Sequence, residues 1–507
     1  MSLSAALAIA TGEIANINDR FALIGHNIAN AGTPDYAVED VSQQSVSAGG
    51  VGLGARQGTV TRDVDTVLQG NLFAQNGTVA SLQAQATALQ PIDAAEGAPG
   101  SGSDIASLLG TLGNQFAALE TDPSSAAQQQ AVVASAQTLA GRVNAVSNAV
   151  QGARQSAQNA IVGDVSTLNT TLATIGTLSR QIVAAQAAGQ STADLSNQRD
   201  AAIDTLSSLV GVTVLPQANG DVLLATAGGL VLPTDGTAFA TANASLGAAS
   251  YAPGGGVPPI TLNGRDVTAQ LQGGQIGAQI TLRDSTLPTL QANLDEFAET
   301  LSTRFANQGL TLFSNAAGTV PAGGGVPAQS GYLGYASEIQ VNPTVAGNPA
   351  LVRDGTNAIA GSPGGASAFT PNPAGGPAGF NTLIGRILNY ALGTQAQEGV
   401  AQPAPATGGL GAAGTLAAGF APPADLGAQA AAVVAHEASA SAAVSSQLTE
   451  AQGVQTTLQT KLSGTTAVNI DTEMSTMIAL QNAYAANARV MSSVQAMWSQ
   501  LLQSVGP

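Results

Sequence analysis

The chain holds 2 histidines, no cysteine and 31 carboxylates in 507 residues, and these are the side chains that could carry catalysis or hold a metal. His26 is followed by Asn27 and His436 by Glu437, but neither begins a His-x-x-x-His pair, and no thiolate can complete a zinc set. His26 therefore reads as a polar cap or subunit contact, and His436 with Glu437 as a solvated helix face. Asp63 and Asp65 flank Val64 without the downstream glycine and glutamate of a calcium loop. The run Gly323 to Gly325 opens no strand-to-helix phosphate loop with a lysine, so it is no nucleotide site. Arg199-Asp200 and Arg283-Asp284 look like paired charges. An exposed pair of this kind contributes little, whereas an Arg fork bonded twice to a carboxylate can fix the packing of helices. No catalytic, metal or cofactor residue is expected. A hydrolase would need a separate globular module with convergent carboxylates, and no such module stands out.

The strongest pattern lies at the two ends. Leu3, Leu7, Ala10, Ile14, Ile17, Phe21, Ile24 and Ile28 step alternately by four and three. Ile470, Met474, Met477, Tyr484, Ala488, Met491, Trp498, Leu502 and Val505 fit the same register, with Gln481 and Gln495 at the remaining seam positions. A 3.5-residue repeat lays one apolar stripe along a helix, and that stripe must bury against another helix. The ends are expected to meet each other and then neighbouring copies. Gly32 and Pro34 can stop the first helix. Asn469 or Asp471 can cap the last, with Glu473 at its positive end.

Between the ends the pattern is mainly helical. Segments 66–211, 273–308 and 427–466 carry helical spacing. The stretch 124–190 is the longest, with Val132, Leu139, Val143, Ile161, Leu168 and Ile175 on one face, and it reads as a coiled-coil-like rod. Residues 212–272 alternate around Asn219-Gly220, a strong hairpin signal. Residues 309–426 are rich in Gly and Pro and read as an outer region and return segment, whose surface loops carry few long-range contacts. The predicted fold is mainly α, a long helical stem contributed by both halves of the chain with a smaller β and loop-rich outer part.

Formal charge is −17, with 9% charged and 3% aromatic residues. The acidic excess argues against a nucleic-acid partner and against anionic membranes. Residues 1–30 lack a basic n-region, and Glu13, Asn16, Asn18 and Asp19 interrupt any apolar core of a secretory signal.

Four blocks, in order, carry a resemblance. "NIANAGTPDY" (residues 27–36) resembles the N-terminal signature of the flagellar axial family of rod, hook and hook-associated proteins. "VNIDTEMSTMIALQNAYAANARVMSSVQAMWSQLL" resembles the helix at the C-terminus of that family. "DLSNQRDAAIDTLSSLVGVTV" (residues 194–214) and "GGQIGAQITLRDSTLPTLQANLDEFAETLSTRFANQ" (residues 273–308) are similar to segments of hook-associated proteins. The resemblance implies a non-enzymatic structural subunit at the junction of hook and filament. It implies export by the flagellar type III route to the cell exterior. Its implied partners are copies of itself, the hook protein, the next hook-associated protein and an export chaperone, with no membrane or nucleic acid. Residues 1–65 and 467–507 would then form an inner tube. The residues expected at subunit contacts are Leu7, Ile14, Ile17, Phe21, Ile24, Ile28, Ile470, Met474, Met477, Tyr484, Met491, Trp498 and Leu502. Those expected to hold the family motifs in shape are Asn27, Asn30, Thr33, Pro34, Tyr36, Arg199, Asp200, Arg283, Asp284, Asn487 and Arg489. Hook, rod and cap proteins of the same family are the alternative, and a secreted adhesin is the alternative from another class.

Overall fold

The computed structural model describes residues 3–33, 36–48, 51–324 and 327–506. Helix α1 (Leu3–Asn30) leads into an antiparallel hairpin of β1 (Glu39–Ala48) and β2 (Val51–Arg62). Asp65 then accepts hydrogen bonds from Val67 N and Leu68 N and starts α2 (Thr66–Glu96), an N-cap that satisfies two otherwise orphaned donors. Asp104 and Ser125 cap α3 (Ile105–Thr121) and α4 (Ala126–Ala187) with one bond each, from Ser107 N and Gln128 N. Helix α5 (Ala193–Leu209) follows, then the hairpin of β3 (Val212–Pro216) and β4 (Val222–Thr226). Its turn holds Gly220 at φ 86°, a conformation that glycine adopts without steric cost. Helices α6 (Gly274–Thr281) and α7 (Leu287–Asn307) run on through a π-helical turn at Leu282–Thr286. The wide turn sits just before Pro288, which cannot donate to the helical ladder.

Two hydrophobic cores share the 62-residue α4 as a spine. Its N-terminal half sends Val132, Leu139, Val143 and Val150 into the larger core, with Phe116 of α3 and Phe297 and Phe305 of α7. Its C-terminal half sends Ile161, Leu168 and Ile175 into the second, with Ile203 and Leu206 of α5 and Leu224 of β4. One apolar face thus continues along the whole helix, as its spacing predicts, and meets different partners at its two ends.

The expectation that 309–426 makes few long-range contacts does not hold. Leu310, Leu312, Phe313, Ile339, Val345, Val352, Leu383, Ile384 and Ile387 are fully buried in the larger core. They are delivered by short helices α8 (Pro343–Gly347), α9 (Leu351–Asp354) and α10 (Thr382–Arg386), by a π-helical turn at Ile387–Ala391, by the two-residue strand Phe313–Ser314 and by the segments beside these. Elements this short leave no periodic signature, although their apolar side chains are buried as deeply as those of the long helices. Asp295 and Glu296 of α7 hold this segment in place. Asp295 accepts from Gly334 N at 2.7 Å and Ala336 N at 2.9 Å, and Glu296 accepts from the Tyr332 hydroxyl at 2.7 Å and Ala406 N at 2.7 Å. Asp425 caps α11 (Leu426–Thr466), and Asn469 caps α12 (Ile470–Val505) by accepting from Thr472 N.

Candidate assembly surface

Helices α1 and α12 pack antiparallel. Leu3 and Leu7 lie by Trp498 and Leu502, Thr11 Oγ1 is 4.0 Å from Met491 Sδ, and Asn27 Nδ2 is 3.3 Å from Glu473 Oε1. Ile17, Ile24 and Leu480 form a small core, with Phe21, Ile28, Met477 and Ala483 packed on it. Ala10, Ile17 and Ile24 are the buried apolar positions of α1 among the described residues, seven residues apart, while Leu7 and Ile14 are half-buried. The two ends therefore pair within one chain.

The buried face of α12 differs from the stripe read in its sequence. Leu480 and Val494 are buried and Met477, Asn487 and Met491 half-buried, whereas Ile470, Met474, Tyr484, Trp498 and Leu502 are exposed. The helix carries more apolar residues than one seam can take, and α1 covers the row that includes Leu480 and Val494. The spacing of that row, Leu480, Asn487, Val494, was visible in the sequence and was masked by the bulkier methionines and Trp498. At about 100° per residue, Tyr484, Trp498 and Leu502 lie on or beside the covered row, and six other exposed apolar residues fall in two groups. Ile470, Met474 and Ile478 lie on one flank. Val490, Met497 and Leu501 lie on another flank about 160° away around the axis, by the same helical period. All six are about half exposed.

The "NIANAGTPDY" segment closes this pair. Asn27, only 1% exposed, donates from Nδ2 to Glu39 O at 2.9 Å and to the Glu473 carboxylate. Its Oδ1 accepts from Glu39 N at 3.1 Å and from the Tyr36 hydroxyl at 3.0 Å. One amide thereby joins α1, β1 and α12. Tyr36 OH also lies 3.1 Å from His26 Nδ1, with the rings edge to face at 5.9 Å, so His26 makes an intrachain polar contact. Burial, with the Glu39 charge second, pushes the Tyr36 hydroxyl up and keeps it a donor. Burial also raises Glu39 and Glu473. Asn30 Nδ2 donates to His26 O at 3.0 Å, and Thr33 Oγ1 lies 3.4 Å from Asn30 Oδ1, which finishes the helix end. Pro34 lies outside the described residues.

The stem is tied to this node through residues that the sequence reading did not pair. Asp200 bonds Arg62 Nη1 at 2.9 Å and Gln69 Nε2 at 3.0 Å, so its ionic partner is on β2 and not the adjacent Arg199. A helix points neighbouring side chains about 100° apart. Arg199 instead donates to Gly220 O at 2.7 Å and holds the β3–β4 turn. Asn197 exchanges 3.3 Å bonds with Ala37 N and O. Arg283 and Asp284 do form a two-bond pair at 2.7 and 2.8 Å, and Arg283 Nη1 also reaches Gln158 Oε1 at 2.8 Å and Pro258 O at 3.1 Å. That guanidinium is buried at the π-turn. Asn487 donates back to Ala483 O at 3.2 Å, and Arg489 is exposed. Glu437 is buried and His436 lies against Phe420 at 5.3 Å between ring centres, which corrects the reading of that pair as a solvated face. Among the described residues no cluster of three or more metal-binding side chains occurs, and no helix is long and apolar enough to cross a membrane.

The structure is a helical stem whose ends fold back together and still expose apolar flanks. Residues 97–319 match the family described as the flagellar hook-associated protein FlgK helical domain, and residues 465–504 match the flagellar basal body rod FlgEFG protein C-terminal family. Residues 97–319 are thus similar to the helical domain of flagellar hook-associated proteins. Flagellar hook-associated protein 1 of Bacillus subtilis (strain 168) is 25% identical over 218 residues, which cover 41% of this chain and 43% of that protein. The solved structure of the flagellar hook junction protein FlgK from Burkholderia pseudomallei is 24% identical with a TM-score of 0.40, covering 50% of this chain and 45% of that one. The chain thus spans less than half the length of each of these relatives.

Proposed function

We propose that this protein is a structural subunit of the bacterial flagellum that forms the junction between hook and filament, without enzymatic activity or cofactor. The observation that carries the reading is the pair of apolar flanks on α12, which remain open after α1 has covered its own side. A helix in a closed tube has neighbours on more than one side, and two flanks about 160° apart suit that arrangement. Residues 1–65 and 467–507 would form the inner tube. The helical segments 66–211, 273–308 and 427–466 would form the surrounding stem, with 212–272 and parts of 309–426 outward. The match of residues 97–319 to the hook-associated helical domain favours this over a hook, rod or cap protein. Ile470, Met474, Tyr484, Trp498 and Leu502 serve as contacts between copies in this reading, and Ile17, Ile24 and Met477 as the seam within each copy. The axial partners are the hook protein and the next hook-associated protein. The flagellar type III route, with an export chaperone, delivers the chain to the cell exterior.

The test separates the two sets of residues. Ile478→Asp and Met497→Asp place a charge on each outer flank and leave the α1 seam intact. The purified variants keep the thermal unfolding profile of the parent, while cells carrying them shed filament subunits into the medium. Normal motility and filament retention in a strain carrying both substitutions would overturn the assignment.

A further inference from the structure

Glu96 lies at the last residue of α2 and Glu437 in the N-terminal half of α11. Each is 3% exposed. Their carboxyls are within hydrogen-bonding reach of each other, and the Oε1 atom of each is buried without any N–H or O–H donor among the described residues. Two facing carboxylates cannot both remain ionised in such a place, because each would carry an uncompensated charge out of water beside a like charge. A proton between them supplies the missing donor.

We propose that Glu96 and Glu437 share one proton and act as a pH-released latch that joins the C-terminal end of α2 to α11.

The surrounding charges leave the proton as the available solution. Asp93 on α2 accepts from Ser441 Oγ on α11, a second tie between the same helices. Asp104 is occupied by Ser107 N, Ser107 Oγ and Gly100 N at the start of α3. Arg142 on α4, the one cation acting on the pair among the described residues, is bonded to Ala95 O and lowers Glu96 less than burial raises it. Burial and the Glu96 carboxyl push Glu437 up, and burial pushes Glu96 up. A cleft of about 370 Å3 lined by Asp93, Gly97, Pro99, Val434, Ala438 and Ser441 adjoins the pair, so water enters once the helices part.

The direction follows from linkage. The closed state holds the proton more tightly than the open state. The latch is fully present below the ordinary carboxylate range and is lost as pH rises through the raised value of the pair. Since α11 leads through residues 467–469 into α12, release loosens the C-terminal strut of the stem.

Hydrogen exchange of the full chain, corrected for intrinsic rates, tests this from pH 5 to 9. Protection of residues 93–97 and 434–445 is expected to fall, approaching ten-fold per pH unit where the open state has lost the shared proton and the closed state still holds it. Glu437→Gln, which keeps a donor toward Glu96, removes the decline. The reciprocal Glu96→Gln does the same if the first variant fails to fold. Parallel profiles in the parent and the folded variant would overturn the latch. So would restoration of protection at high pH by millimolar calcium in the parent alone, which would mean that the carboxyls hold a cation instead of a proton.

Discussion

Replacing Asn27 by alanine removes the amide that joins α1, β1 and α12, and the structure sets the size of the effect. The Tyr36 hydroxyl keeps His26 Nδ1 at 3.1 Å as a partner, so it is not orphaned. Glu39 N and Glu39 O lose their bonds to the Asn27 side chain. A buried polar group left unpaired costs about 1–3 kcal/mol, so the two together cost about 2–6 kcal/mol. The terminal core holds three buried apolar side chains, Ile17, Ile24 and Leu480. At about 1.5–3 kcal/mol each, their burial contributes about 5–9 kcal/mol before conformational entropy is subtracted. The loss is therefore comparable with what holds the pair closed. The terminal core is separate from the two stem cores, so Asn27→Ala is expected to open α1 and α12 and leave the stem folded. Limited proteolysis should trim both ends to a product of roughly residues 60–465, the bounds of the helical stem, while the main thermal transition stays within a few degrees of the parent. Equal protease resistance of α1 in the variant and the parent would refute the reasoning.

Ile17→Asp should have the same outcome by a different cause, since a charge in an apolar seam costs roughly several kcal/mol; it should raise tail proteolysis and stop filament retention. Deleting Gly361 to Gly376 removes Phe369, which packs against Phe380 and lies under the Arg386 guanidinium at 5.3 Å. Thermal unfolding should show a destabilised stem, contrary to the tolerance expected of a surface loop. Arg283→Met leaves Asp284 and Gln158 without their donor at the π-turn, and breaking a buried pair in this way costs about 3–5 kcal/mol, measurable by denaturant unfolding. Asp164 is raised to about 6 by burial, and its Oδ2 is buried without a partner. A raised value means that its favourable contribution is lost as pH rises through about 6. Asp164→Asn should therefore raise the melting temperature at pH 8 and change it little at pH 5.

Much of the frame was legible because it rests on local signals. Asn469 and Asn219-Gly220 mark a start and a turn through their own backbone chemistry, and the face of α4 repeats over 62 residues. The Asn27 to Tyr36 motif pointed to the right place, but its partners Glu39 and Glu473, 12 and 446 residues from Asn27, could not be read, since such side-chain hydrogen bonds leave no spacing. The same holds for Asp200, whose partner is Arg62, and for Glu437, which looked solvated until Glu96 was beside it. On α12 the difficulty was surplus: with apolar residues on several sides, periodicity alone does not say which side its own chain covers. In residues 309–426, elements of two to five residues are too short for either the strand or the helix period to register.

The distribution of the cores also sets an order of folding. Apart from Phe73, the second core draws on residues 161–276, and it can close once that stretch is available. The larger core contains both Leu89 and Val434, so it waits for nearly the whole chain. The terminal pair needs Ile17 and Leu480 together and comes last. Contacts of such wide sequence separation close slowly, because the loop entropy is lost before the contact rewards it. A chain emerging from its N-terminus therefore carries α1 without its partner for most of its passage, and the surface that would meet other copies takes shape only when the final helix arrives.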